Sequence, residues 1–378
     1  MRIYFDNAST TPLLPEVQEA MIKVIKEDYG NPSSIHLLGR KSRIIVEESR
    51  KIIAHGLNAS TGEIFFTSGA TEANNMAFLG CVNDLGVKRI ITTEIEHHCI
   101  LHMLDQLSLH NSTEVVVLKV DKGGNIDLSE LETLLNSSDI KTLVSIMHGN
   151  NEIGTIADIK AISALCQING ALFHTDTAQT MGKVPIDLSE INVSFLCGAS
   201  HKFFGPKGTG FIYINGDNII KPMMHGGDQE RGMRSGTENI YGIAGMAKAY
   251  SLAIEQMEDR HHYIQDLKSY FRDRLTAELE DIQFNSTLGG LHHILSVSFP
   301  QSPKSEMLMM NLDIAGISAS SGSACSSGVE NDSHVLQAIG HDPKRKTVRF
   351  SFSHLNTKAE VDQVIAELKK ITPALQAV

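Results

Sequence analysis

The chain has 378 residues, 42% of them hydrophobic and 20% charged. This is the composition of a soluble globular protein, long enough for two domains around at least one large core. A formal net charge of −11 argues against a broad basic face for the phosphate backbone of nucleic acid, and no apolar run approaches the roughly 18 residues that span a bilayer. The opening MRIYFDN has neither the apolar core nor the cleavage site of a secretory leader, so a cytoplasmic protein is expected.

From residue 60 to 215 short apolar runs alternate with helix-like stretches. Strands are predicted at 63–66, 89–92, 115–120, 143–147, 171–175, 193–197 and 210–214, with helical spacing between them, as over 157–167. Alternation of this kind builds an α/β fold with a mainly parallel central sheet covered on both faces. Such sheets bind ligands beyond the carboxyl ends of their strands, and the polar motifs fall there.

The first motif follows the strand that ends at Phe66. It reads Thr67-Ser68-Gly69-Ala70-Thr71-Glu72, a small-residue turn into a helix. Two readings stand: free amides at a helix start that hold a phosphate, or an ordinary capping box. The next strand end carries Glu96-His97-His98-Cys99. An imidazole there could stack on a flat ring and act as acid or base, or be a surface histidine. His98 and His102 have i, i+4 spacing, but no further ligand is in register, so no metal site is expected.

Asp176 stands at the end of the strand over 171–175, in His174-Thr175-Asp176-Thr177-Ala178-Gln179, and Ser200-His201-Lys202-Phe203-Phe204-Gly205 follows the next strand. Alone, the acid reads as a turn former and the lysine as a solvated side chain. One chemistry asks for both. Pyridoxal 5'-phosphate (PLP) needs a lysine for a Schiff base and a carboxylate beside its pyridine nitrogen, and the lysine can then move the proton at Cα.

After residue 240 the pattern changes. A long helix is predicted over 241–280, then strands near 291–299 and 347–352 and a final helix from Lys358 to Ile371. This reads as a smaller α+β domain. Between the strands lies Ser320-Ser321-Gly322-Ser323-Ala324-Cys325-Ser326-Ser327-Gly328, one thiol among small polar residues. That composition predicts a moving loop carrying a reactive cysteine, or a chance cysteine in a linker. The other cysteines stand at 81, 99, 166 and 197. An odd, widely spaced set without CxxC pairs is neither a disulfide framework nor a zinc site, and Cys166 and Cys197 read as small buried hydrophobes.

Taken together these segments resemble cysteine desulfurases of the NifS/IscS type, within the class V aminotransferase-like PLP enzymes. The resemblance runs nearly the whole length. It includes Asp6-Asn7-Ala8-Ser9-Thr10-Thr11-Pro12, Gly30-Asn31-Pro32-Ser33-Ser34, the Ser68 to Thr71 turn, Asn150-Asn151-Glu152-Ile153-Gly154, Asp176 to Gln179, His201-Lys202, Arg231-Gly232-Met233-Arg234-Ser235-Gly236-Thr237-Glu238-Asn239, the Cys325 segment and Val348-Arg349-Phe350-Ser351. The serine and glycine residues before Cys325 are similar to the branch of the family with the longer loop.

The resemblance implies a PLP-dependent transferase of fold type I, with residues 15–257 as the large domain and 1–14 with 258–378 as the small one. It implies that Lys202 bonds to PLP, Asp176 pairs with the pyridine nitrogen and His97 stacks on the ring. Gln179 and Asn151 touch the ring hydroxyl, Asn151 also meets substrate, and Ala70, Thr71 and His201 hold the phosphate. Thr237 reaches the phosphate of a partner subunit, giving a homodimer with shared sites. Arg349 grips the carboxylate of L-cysteine and Cys325 accepts its sulfur. Sulfur-acceptor or iron–sulfur scaffold proteins are the implied partners, and tRNA thiolation is a second implied destination for the sulfur. The family often has serine at the position of Ala199, so Ser200 becomes the candidate ligand there. Asp228 stands where the family usually has glycine. The competing readings are a selenocysteine lyase or another class V PLP enzyme, and a non-catalytic sulfur-relay scaffold.

Overall fold

The computed structural model describes residues 2–111, 113–302, 304–322 and 333–372. The Cys325 reading therefore lies outside the described residues. In chain order the strands are β1 (Ile3–Tyr4), β2 (Ile64–Thr67), β3 (Arg89–Thr93), β4 (Glu114–Leu118), β5 (Thr142–Ser145), β6 (Leu172–Asp176), β7 (Phe195–Ala199), β8 (Gly210–Ile214), β9 (Gln283–Phe284), β10 (Ile294–Phe299), β11 (Ile317–Ser318) and β12 (Lys346–Ser351). The helices are α1 (Pro15–Glu27), α2 (Leu37–Gly56), α3 (Ala70–Asn83), α4 (His98–Asn111), α5 (Leu128–Asn136), α6 (Ile159–Ile168), α7 (Ile240–Glu255), α8 (Met257–Glu278), α9 (Leu308–Ile314), α10 (His334–Ala338) and α11 (Lys358–Ile371).

Seven strands form the central sheet in the order β2-β8-β7-β6-β5-β3-β4. All neighbours are parallel except β8, which runs antiparallel to both β2 and β7. Successive residues of a strand point to opposite faces, and the packing follows that rule. Phe66, Ile91, Val144, Leu196 and Phe211 join a core with α2 and α7, while their neighbours Phe65, Ile90, Leu143, Phe195 and Ile212 pack against α3 and α4. With both faces covered, the inner strands read as continuous apolar runs. Each fully buried large side chain contributes about 1.5–3 kcal/mol of transfer free energy.

A second body of structure has its own core. Phe5, Phe271, Val297, Phe299, Val348, Phe350, Val361 and Leu368 pack together over the antiparallel sheet β12-β10-β9. The single helix predicted over 241–280 is two helices here, divided at Gln256 (φ −108°, ψ 14°). The reason is the change of core: α7 buries Ile243, Met246 and Tyr250 against the large sheet, and α8 buries Leu267, Phe271 and Leu275 in the second cluster. No helix among the described residues is long and apolar enough to cross a membrane.

Candidate active site

The carboxyl ends of β2, β3, β5, β6 and β7 open into one cavity of about 370 Å³. Its lining includes Ala70, Thr71, His97, Asn151, Asp176, Gln179, His201, Lys202 and Arg349. Residues spread over 280 positions of sequence are thus brought together by the strand order.

At the end of β2 the chain turns through Ser68 and Gly69 into α3. No side chain caps this helix. Glu72 does not close a capping box on Gly69. Its carboxylate accepts from the Ser68 amide at 2.9 Å and from Arg234 at 2.8 and 3.3 Å. Burial pushes the Glu72 carboxyl up, but the bonds from Arg234 and Ser68 outweigh it and hold the group below its ordinary value. The Ala70 and Thr71 amides have no acceptor among the described residues, as a helix start facing an anion requires. Gly210 permits this geometry: a Cβ there would stand 2.6 Å from the Gly69 Cα.

Asp176 is the last residue of β6 and is 5% exposed. Asn74 donates to its Oδ2 at 2.8 Å, and the Ala178 amide and the Cys197 thiol donate to its Oδ1 at 2.9 and 3.3 Å. His97 follows β3. Its Nδ1 accepts from the Cys99 amide at 3.2 Å, which leaves Nε2 to carry the hydrogen of the neutral ring. Burial lowers its pKa, against the pull of Asp176.

Lys202 ends a helical turn, Ser200–Lys202, directly after β7. Its Nζ donates to the carbonyls of Ala8 and Ser9 at 2.7 and 2.9 Å. His201 Nδ1 lies 3.2 Å from Thr10 Oγ1, and burial together with Lys202, Lys207 and Lys183 brings its pKa down to about 4. Ser200 is placed differently. Its Oγ is buried without a partner among the described residues, and a Cβ at Gly205 would stand 2.0 Å from it. The serine is not among the cavity's lining residues. In a three-residue turn consecutive side chains point about 120° apart, so His201 and Lys202 face the cavity while Ser200 faces Gly205.

Arg349 comes from β12, 2% exposed. It donates to the Asn151 carbonyl at 2.8 Å, to Asp6 Oδ1 at 2.9 Å and to Ser9 Oγ at 2.6 Å, and its Nε is buried without a partner among the described residues. Gln179 Nε2 donates to the Ala8 carbonyl at 2.9 Å. Thr237 is exposed and lies outside the lining of its own chain's cavity. The chain on either side of residues 323–332 meets at Glu152, beside Asn151: Ser333 Oγ donates to Glu152 Oε2 at 2.5 Å, and a Cβ on Gly322 would stand 3.1 Å from that same oxygen. Sequence reasoning missed Asn74, which joins Asp176 to His174, and the Ala8 carbonyl. Asn74 stands two residues beyond the Thr67 to Glu72 motif, but a main-chain oxygen leaves no mark in a sequence.

The fold and this cavity define a class V aminotransferase. The family model for aminotransferase class V matches residues 3–364, and the chain belongs to that family of PLP enzymes. Among relatives, it is 40% identical over 384 residues to the cysteine desulfurase IscS of Dictyoglomus turgidum, covering 100% of this chain and 96% of that one. A solved NifS-like protein superposes with a TM-score of 0.91 at 36% identity, covering 98% and 99% of the two chains. A structure described as SspA in complex with cysteine superposes at 0.82, with 31% identity over 93% of this chain and 99% of that one.

Proposed function

We propose that this protein is a PLP-dependent cysteine desulfurase, converting L-cysteine to L-alanine and a persulfide on Cys325. The observation that carries the reading is the meeting of Asp176, Lys202, Arg349 and the uncapped start of α3 in one cavity. The residues fit the cofactor. Orphan amides at Ala70 and Thr71 suit a phosphate, with His201 beside them, and the buried Asp176 suits a protonated ring nitrogen. Lys202 is the lysine that would bond to it, His97 would cover its ring, and Gln179 and Asn151 would meet its hydroxyl. Thr237 of a second copy would complete the phosphate site in a cytoplasmic homodimer.

When bound, PLP supplies an electron sink for charge at the substrate Cα. The protein's own groups do the rest. Arg349 orients the substrate carboxylate through its guanidinium fork, whose Nε has no partner among the described residues. Lys202 Nζ takes and returns the proton at Cα, and Asp176 holds a proton on the pyridine nitrogen. The Cys325 thiolate attacks the substrate sulfur: the new S–S bond replaces the C–S bond, and the carbon skeleton takes up protons and leaves as alanine. The persulfide sulfur then passes to an acceptor or scaffold protein for iron–sulfur cluster assembly, or toward tRNA thiolation. Two cores support dividing the chain into 15–257 and 1–14 with 258–378.

The test is to give L-cysteine to the purified protein and follow alanine, sulfide and visible absorbance together. Lys202→Ala should lose the yellow absorbance and at least about 10³-fold in turnover. Cys325→Ala should stay yellow and release no sulfide, and full turnover in that variant would remove Cys325 from the mechanism.

A further inference from the structure

We propose that His293 is a positioning residue that fixes which end of the Gln179 carboxamide faces the Ala8 carbonyl and the cavity. The inference deepens the proposed function, since it concerns a residue assigned there to the cofactor. It starts from two hydrogen bonds into one oxygen. The Ala8 carbonyl accepts from Lys202 Nζ at 2.7 Å and from Gln179 Nε2 at 2.9 Å. Turning the Gln179 amide over would set its Oε1 against that carbonyl, two acceptors face to face. The orientation therefore depends on what meets the other end.

That end faces His293. Its Nε2 lies 3.3 Å from Gln179 Oε1. His293 stands one residue before β10, so it reaches Gln179, which lines the cavity, from the second body of structure. It is 1% exposed and its Nδ1 has no partner among the described residues. Burial and the cationic or basic groups around it, Lys183, His292, Lys268 and Arg349, all oppose a charge on the ring. The ring is neutral, and its one hydrogen belongs on Nε2, where Oε1 can accept it. An unpaired acceptor at Nδ1 is the lesser cost, because orphaned buried N–H groups are the rarer kind. Lys183 is the competitor for Nε2. Its Nζ lies 3.4 Å from that atom and also reaches the Gln179 carbonyl at 3.3 Å. Burial and the neighbouring Lys202 bring its pKa down to about 7, which weakens it as a rival donor.

The experiment compares two substitutions in the holoenzyme. His293→Gln places an amide N–H near the position of Nε2, and His293→Leu fills the space without a donor. His293→Leu should lower kcat/KM about three- to tenfold, the factor for one ordinary hydrogen bond, and shift the pH midpoint of the visible absorbance. His293→Gln should restore both, and in a Gln179→Ala background His293→Leu should change neither. The proposal is overturned if His293→Gln fails like His293→Leu, or if the loss persists undiminished without the Gln179 side chain. The same double-mutant cycle on the melting temperature of cofactor-free protein reads the contact directly. Coupling there in a protein that never turns yellow would sink the functional reading and leave this one standing, whereas additivity there would overturn this one.

Discussion

Asp176 and Arg349 line the same cavity and are held by different means. Asp176 ends a strand of the large sheet, and among the described residues its oxygens take hydrogen bonds only from Asn74, the Ala178 amide and a thiol. Arg349 is as deeply buried, but its charge is met by another charge: Asp6, whose side chain is 18% exposed, shares it with Ser9 and the Asn151 carbonyl. A carboxylate fixed by neutral donors keeps its position with or without a ligand. A guanidinium whose partner is a partly buried carboxylate is placed to share or exchange it for another carboxylate. On the proposed function, the strand-end acid would act on the reacting carbon and the arginine would select what enters.

The sharpest way to break that contrast is Asp176→Asn. It should lower kcat about 10²- to 10³-fold, the range for removing one preorganised electrostatic contact, with KM for cysteine nearly unchanged; stopped-flow and steady-state rates would check the split. Arg349→Lys should do the reverse. Losing the fork should raise KM about 10- to 100-fold, with a much smaller change in kcat. If KM were the parameter that moved in the first variant and kcat in the second, the two residues would not differ as described.

A smaller effect concerns acid. His174 sits behind Asp176, bonded to Ser145 and Asn74, and burial brings its pKa down to about 4, as it does for His148. In the unfolded chain these rings protonate near 6.5, while in the folded chain they stay neutral. Stability should therefore fall as pH drops from about 6.5 toward 4, by up to about 1.4 kcal/mol per unit for each ring. Melting curves at pH 7, 6 and 5 would show it, and Asn74→Ala should alter the slope if these residues melt as one unit.

Much of this arrangement was legible in the sequence. The seven strands announce themselves because each is an apolar run bounded by turns, and Asp176 and Lys202 stand out because they follow two of those runs. What could not be read depends on contacts between distant elements. Ser200 precedes His201 and Lys202 directly, yet the side to which it points follows from the turn's rotation and from Gly205. The break at Gln256 has no glycine or proline to mark it, since it reflects the change from one core to another. β1 and β11 are two residues each and pair across more than 300 positions, too short to leave a period. His293 reads as one of two adjacent histidines, and only the packing gives it Gln179.

The stretch from Asp6 to Ser9 supplies a carboxylate to Arg349 and two carbonyls to Lys202, and Asn7 is tied to the Ser351 carbonyl and to Asn356. Asp6 and Asn7 are thus joined to Arg349, Ser351 and Asn356, more than 340 positions later. On the ribosome the early piece leaves the exit tunnel long before its counterpart is translated, so the large sheet can assemble first while the pocket waits for a late clasp. A tag or fusion that tugs on the first few residues should therefore harm activity before it harms the fold.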